Sequence, residues 1–498
     1  MSHGFPQADS LDLAAVVNRS ELRKREVREQ LGPDPTFAGT AGRSYPGFLD
    51  AYHGETGVPI AAAAADALDI AWKEVVYSAI PPGYGNREYD KRQPPLLQKL
   101  AAAELFERLS HPIDGEPGVR VGPEDVIVCP YSSTMLLEEA IATLAADCPG
   151  GAIVCPEGFY KSAPVHIRKS GLRIALCPAL PDDSFKLDPA ALAELLAELA
   201  RAGELAGVLL TLPGNPVVCA YSTDELREIG RILLDSGVRV ICDMAFDRLV
   251  RDHIPLAALR VRTGRGVESL FDRVLTITGN SKGYNASGPF KIGAACSGDT
   301  AWLNRIRARL TIAFQRETIH LAGAIIEHTP DQYFDANLDV MLKQQARAGA
   351  HIAAINGRDD IARRFGADVL RRSGSPQGMF LTVIFDRAVS AAAGIDNTLQ
   401  LEDLLLAVAG IDSVALLRTG SERIGVRLNV LAPRNPVGHP AIGDGVASAR
   451  DDAVLLAELF DRLEQLIRDI GVGLTYRGAL ADRGLAPLPG LAELGVGQ

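Results

Sequence analysis

Val274-Leu-Thr-Ile-Thr-Gly-Asn-Ser-Lys-Gly283 runs from a short apolar, β-branched segment straight into a lysine set among small residues. The segment Val274–Thr278 is too short for a helix and suits a strand buried on both faces. Lys282 then stands at that strand's carboxyl end, the rim where open α/β sheets gather their ligands. Desolvation there lowers an amine's pKa and makes it nucleophilic. Runs of the same kind occur at Val126–Cys129, Ala152–Cys155, Arg173–Cys177, Val208–Leu212, Val238–Cys242 and Ile292–Cys296. Helical patterns lie between several of them, at Ser133–Leu144, Pro189–Arg201 and Thr223–Asp235. Near-continuous apolar strands alternating with helices predict an α/β domain with a doubly wound, mainly parallel sheet.

Residues 1–60 are polar, carry a charged helix candidate at Ser20–Leu31 and read as an N-terminal arm. Residues 61–330 form the predicted large domain and 331–498 a smaller α+β domain. Long helical patterns span Asp299–Phe365. Two strands (Met379–Phe385 and Arg423–Val430) flank a helix at Leu401–Val408, and a final amphipathic helix covers Asp451–Asp469. The tail, Asp482–Gln498, is rich in Gly, Pro and Leu and has no periodic pattern. With 47% apolar and 23% charged residues, the chain has the balance of a globular protein, which excludes a disordered or fibrous one. No apolar run approaches the ~18 residues of a membrane span, and the first residues lack a secretory pattern. A formal charge of −11 opposes nucleic acid and anionic lipid as partners. The seven cysteines show no Cys-x-x-Cys spacing and sit mostly in apolar runs, which points to a reducing compartment and a cytoplasmic protein. The nine histidines have no metal-ligand spacing, so no metal site is expected.

Five strand ends carry candidate chemistry. Tyr131-Ser132-Ser133-Thr134 opens a helix after the first run, where hydroxyls and free backbone N–H groups can seat a phosphate or simply cap the helix. Phe159 and Tyr160 follow the second run, as ring-stacking aromatics or as core. Asn215, in Pro213-Gly-Asn-Pro216, offers a side-chain amide or plain turn chemistry. Asp243 ends a buried run and needs a cationic or hydrogen-bonding partner, for which a protonated heterocyclic nitrogen is suited. Lys282 is the fifth.

In this order the set resembles the class I/II aminotransferase group of fold-type I pyridoxal-phosphate enzymes, the aspartate aminotransferase superfamily, over residues 60–440. The resemblance implies pyridoxal 5′-phosphate as cofactor, with its phosphate held by Ser132, Ser133 and Thr134, its ring stacked on Phe159, and Ser281 among the residues that bind it. It also implies that Asn215 contacts the 3′-oxygen, Asp243 pairs with the ring nitrogen and Lys282 forms the Schiff base. Lys291, in Lys291-Ile-Gly293, takes the place of the family's phosphate-binding Arg. Pro376-Gln-Gly-Met-Phe-Leu381 resembles the family's small-domain strand, and Arg427-Leu-Asn-Val-Leu-Ala432 resembles the strand whose Arg clamps the substrate carboxylate. Arg423, on the same strand face, is the rival clamp. A guanidinium fork suits that task because it holds both oxygens at once.

The pattern departs from the family at several points. Phe246 stands where a tyrosine hydroxyl normally reaches the 3′-oxygen, and Gly279 where a Ser or Thr often assists the phosphate. The loop from Lys282 to Lys291 is one residue longer than usual. The tyrosine that a neighbouring subunit would supply is Tyr84 or Tyr89. The expected function is amino transfer on an α-amino acid, through an external aldimine and a Cα carbanion, in a homodimer whose arm lacks an evident seat on one chain. The alternative is α,γ-elimination or γ-replacement on a substrate like S-adenosylmethionine. Pro-x-x-Phe159-Tyr160, which also places Tyr160 beside the substrate, resembles the loop of 1-aminocyclopropane-1-carboxylate synthases. Gly279-Asn-Ser281-Lys-Gly283 further matches a serine-hydrolase elbow, which requires a helix directly after it.

Overall fold

Alternate residues of the predicted strands enter two separate cores, as burial of both sheet faces requires. Val126, Val128, Val154, Val208, Leu210, Val240 and Val274 face one; Ile127, Ile153, Leu209, Ile241, Leu275 and Ile277 face the other. The computed structural model describes residues 11–39, 42–77, 93–431, 452–490 and 493. Its large sheet comprises β1 (Val126–Pro130), β2 (Ala152–Pro156), β3 (Arg173–Cys177), β4 (Leu205–Thr211), β5 (Val240–Asp243), β6 (Val274–Gly279) and β7 (Ile292–Cys296). The spatial order is β1-β7-β6-β5-β4-β2-β3. Only β7 runs antiparallel to its neighbours β6 and β1. The segment between β6 and β7 explains that direction. Its Gly and Pro residues form bends and one short 3₁₀ turn, Gly288–Phe290, and a parallel return would need a crossover helix.

The first helix, α1 (Leu13–Leu31), begins before the charged segment that predicted it. On the large sheet, α2 (Ser133–Asp147) starts at the Ser132 cap, α3 (Pro189–Ala202) at Asp188, and α4 (Thr223–Ser236) at a Ser222–Glu225 capping box. The apolar stripe of α2, Leu136, Leu137, Ala140, Ile141 and Leu144, covers one sheet face. Leu192, Leu196, Leu226, Ile229 and Leu233 from α3 and α4 cover the other.

The long α5 (Asp331–Asn356) joins the two halves of the molecule: Phe334 lies in the core of the large sheet, and Ala348, Ile352 and Ile355 in that of the small one. The small sheet is antiparallel, in the order β8 (Leu370–Ser373), β9 (Phe380–Phe385), β11 (Gly425–Asn429), β10 (Val414–Ala415). It packs with α6 (Thr398–Ala409), α7 (Asp452–Gly471) and α8 (Tyr476–Asp482). Val16, Val27, Phe37, Phe48 and Leu49 from the N-terminal stretch belong to this second core. Among the described residues no helix is long and apolar enough to cross a membrane.

Candidate active site

The carboxyl ends of β1, β2, β4, β5 and β6 converge on a cavity of about 400 Å³. Ser132, Ser133, Thr134, Tyr160, Asn215, Asp243, Phe246, Ser281, Lys282, Lys291 and Arg427 all line it. After β1 the chain turns through Tyr131, at φ +75°, into the first turn of α2. Ser132 Oγ accepts from Thr134 N at 3.2 Å, and Tyr131 N donates to Lys291 O at 2.9 Å, tying this turn to the start of β7. Gly293 permits the close approach: a Cβ there would stand 2.7 Å from Ser132 backbone atoms. One wall is thus a helix N-terminus with three hydroxyls beside the Lys291 ammonium, a seat for a phosphate dianion.

Lys282 is positioned by a neighbour the sequence reading passed over. The buried Asn280 donates from Nδ2 to Phe290 O at 2.8 Å and accepts from Ile292 N at 2.9 Å, pinning the loop against β7. Lys282 Nζ donates to Gly54 O at 2.7 Å and lies 3.8 Å from Glu55 Oε1. Burial lowers its pKa, and Lys291 and Arg427 add to that, while Glu55 and Asp243 oppose it. Asp243, at the end of β5, accepts from Ala245 N at 3.1 Å; burial pushes its carboxyl up to about 6. Lys282 acts against that rise, but among the described residues Asp243 has no ion-pair partner, and a protonated ring nitrogen would be one.

Arg427, in β11, is 1% exposed and donates to Asn215 Oδ1 at 2.9 Å and to Tyr52 O. Its guanidinium lies over the Phe380 ring, and burial lowers its pKa to about 10. Arg423 turns away, donating to Leu180 O and Asp182 O at 2.7 Å each and pairing with Glu157. Phe246 meets Phe380 edge to face, with ring centroids 5.1 Å apart, and brings no hydroxyl to the cavity.

Phe159 is not on the wall. It is fully buried among Ile127, Cys129 and Ala163, and its neighbour Tyr160 faces the cavity instead. The segment 157–162 is turn and irregular backbone, and within it the purely apolar ring is the one that enters the core. Tyr84 and Tyr89 lie outside the described residues. No helix follows Ser281, so the hydrolase elbow is not formed. Sequence reasoning also missed the strap Tyr52-His53-Gly54-Glu55 and Lys161, all on the cavity wall. Asn429 Nδ2 holds the strap by donating to His53 O and Glu55 O, at 2.8 and 2.9 Å. No local periodicity marks that segment; Lys161, next to Tyr160, could have been found from its strand-end loop.

The family model of class I and II aminotransferases matches residues 85–419. The chain belongs to that family. Among curated relatives, a probable N-succinyldiaminopimelate aminotransferase of Mycobacterium tuberculosis is 30% identical over 183 residues, 36% of this chain and 42% of that protein. An aspartate aminotransferase of Bacillus subtilis is 22% identical over 200 residues, 40% and 47% of the two chains. These matches span less than half the length of either relative. Two solved structures are alike over nearly their whole length. Aspartate aminotransferase from Thermus thermophilus with maleate has TM-score 0.65 at 15% identity, covering 93% of this chain and 100% of that one. N-succinyldiaminopimelate aminotransferase from Mycobacterium tuberculosis has TM-score 0.63 at 19% identity, covering 91% and 97%. At these identities the likeness speaks for the fold.

Members of the family use pyridoxal 5′-phosphate. The donor set of the cavity fits that group: an amine of lowered pKa, a carboxylate short of a cation, and an anion seat of hydroxyls, helix N-terminus and Lys291.

Proposed function

We propose that the protein transfers the amino group of an α-amino acid. The observation that carries this reading is the sharing of one cavity by Lys282, Asp243, Asn215, Arg427 and the Ser132–Thr134 turn. When bound, pyridoxal phosphate supplies an aldehyde for an amine and an electron sink for the pair released at Cα. Ser132, Ser133, Thr134 and Lys291 would hold its phosphate, Asn215 its ring oxygen, Asp243 its ring nitrogen and Lys282 its aldehyde. Arg427 grips the substrate carboxylate with both arms of its fork and fixes how the amino acid lies. The lowered pKa of Lys282 keeps its amine ready to take a proton from Cα and return it. The strap Tyr52–Glu55 forms one side of this centre.

The protein acts as a homodimer in this reading. α1 packs within its own chain, so the arm itself is no argument for a partner. The support is the helix Ala62–Tyr77, which leaves Ile70, Trp72, Val76 and Tyr77 exposed. Light scattering at micromolar concentration should return twice the chain mass.

The test of function supplies the cofactor-loaded protein with single amino acids and a 2-oxo acid acceptor. A new amino acid should appear in step with loss of the donor, and Lys282→Ala should abolish it. Release of a γ-leaving group without a new amino acid would show elimination instead, and full turnover by Lys282→Ala would overturn the assignment of the amine.

A further inference from the structure

Besides Lys282 and Lys291, a third lysine, Lys161, lies on the cavity wall, on the side of Arg427. Its side chain is 15% exposed, and its ion pair is a long one, with Glu21 Oε1 4.0 Å away. Its hydrogen bond goes to the Tyr52 hydroxyl, and its Nζ lies 4.1 Å from the centre of the Tyr52 ring. The Tyr52 hydroxyl in turn donates to Glu21 Oε1 at 2.5 Å, and Glu21 is 36% exposed. An unbroken line of exchangeable protons therefore leads from the cavity to the surface: Lys161 Nζ, Tyr52 Oη, Glu21.

The groups facing Lys161 come from four elements. Arg427 lies on β11 and Arg418 in the 3₁₀ turn Leu416–Thr419; Lys24 and Glu21 lie on α1, and Tyr52 on the strap. Three are cationic and one is anionic, and Glu21 is already shared with Arg418 at 2.5 Å. Burial, and then Arg418 and Arg427, lower the Lys161 pKa to about 6. The amine is thus unprotonated at neutral pH, and Tyr52, its own pKa raised by burial, stays a phenol able to hand a proton on.

We propose that Lys161 is a second proton carrier of the site, taking a proton from the substrate carbon next to Cα and passing it through Tyr52 to Glu21 and solvent. The step breaks one C–H bond at Cβ and forms one N–H bond at Lys161 Nζ. The electron pair stays with the substrate, for which a bound pyridoxal group would be the electron sink. Tyr52 and Glu21 each gain one proton and lose one, so the relay ends as it began. This rests on the reading of the cavity as an amino-acid site, and it fits substrates that react at Cβ or Cγ as well as at Cα.

Two measurements on the cofactor-loaded protein test it. The first is acetic anhydride labelling of Lys161 against pH, read by peptide mass spectrometry. Half-maximal labelling is expected near pH 6, and a midpoint near the usual lysine value of about 10 would overturn the inference. The second incubates the protein in D2O with L-alanine, L-aspartate, L-methionine and S-adenosylmethionine in turn and follows deuterium at Cα and Cβ. Wild type should exchange both positions in at least one of them. Lys161→Met, Lys161→Arg and Tyr52→Phe should each lower the Cβ-to-Cα exchange ratio at least tenfold. Exchange at Cα alone in wild type, or an unchanged ratio in all three variants, refutes the proton carrier and leaves the amino-acid reading standing. No exchange at either carbon refutes both.

Discussion

Asp243 and Arg427 are single side chains held in costly, buried environments within the proposed site. The Asp243 carboxyl, ordinarily at 3.8, is raised by burial to about 6. An acid whose pKa is higher in the folded state than in the unfolded one destabilises the fold when ionised. The penalty grows between pH 4 and 6 and is complete above that. Asp243→Asn should therefore stabilise the cofactor-free protein by about 1–3 kcal/mol at pH 7.5 and leave it unchanged near pH 4. The same variant should bind pyridoxal phosphate about 10–100-fold more weakly, the worth of one charge-assisted bond. Thermal unfolding at the two pH values and a cofactor titration check both, and an Asn variant less stable at pH 7.5 would show that Asp243 already has an effective partner. Arg427 is held by Asn215 and the Tyr52 carbonyl. Arg427→Lys keeps the charge but loses the fork, so KM for the amino acid should rise at least tenfold while cofactor affinity changes little; an unchanged KM would remove Arg427 from carboxylate binding.

At the scale of elements, the phosphate seat depends on the contact between β7 and the start of α2. A methyl group on Gly293 would meet the Ser132 carbonyl carbon and oxygen and Ser133 Cα at 2.7 Å, all backbone atoms that cannot swing aside. Gly293→Ala should cost about 1–3 kcal/mol and weaken cofactor binding more than it lowers Tm would suggest, because the turn it displaces is the seat itself. Gly323→Ala, whose nearest neighbours stand at 3.6 Å in a helix, is the control and should be neutral or mildly stabilising. Equal loss in the two variants would sink the argument. The strands that frame this contact were legible because each is apolar on both faces, and Arg173–Cys177 and Ile292–Cys296 fall where the residues predict them. The antiparallel direction of β7 was not read, although the Gly and Pro residues before it already excluded a crossover helix. Strands β8 and β10 escaped because Leu370–Ser373 is half charged and Val414–Ala415 is a bare pair. The strand-end residues of the cavity could be found because each is tied to a run, whereas the strap is brought there by long-range bonds from Asn429 and Arg427. Phe159 and Tyr160 could not be ranked until the loop's orientation was known.

Across the whole molecule, the N-terminal stretch must be held so that Tyr52 lines the cavity and Glu21 meets its hydroxyl from behind. α1 is anchored on the small-sheet half by buried charge. Arg23 donates to Asp403 from Nε and Nη2 at 2.9 and 3.1 Å, and the Tyr476 hydroxyl donates to the same carboxylate at 2.8 Å. Lys24 Nζ lies 2.7 Å from Asp412 and 3.1 Å from Glu402, which also accepts from Ser20 at 2.6 Å. Asp403 thus joins α1, α6 and α8. Asp403→Ala should strand a guanidinium and a phenol away from water and cost about 3–5 kcal/mol. A buried ion pair and an apolar pair of similar size are close in stability, so Arg23→Met with Asp403→Leu should recover most of the loss. Because α1 carries Glu21, Asp403→Ala should also loosen the Tyr52 contact and lower turnover, and the double variant should restore turnover along with stability. Denaturant unfolding and amino-transfer rates for the three proteins decide it. If the double variant regained stability but not turnover, α1 would not be what seats the strap, and the strap's own bonds to Asn429 and Arg427 would have to hold it alone.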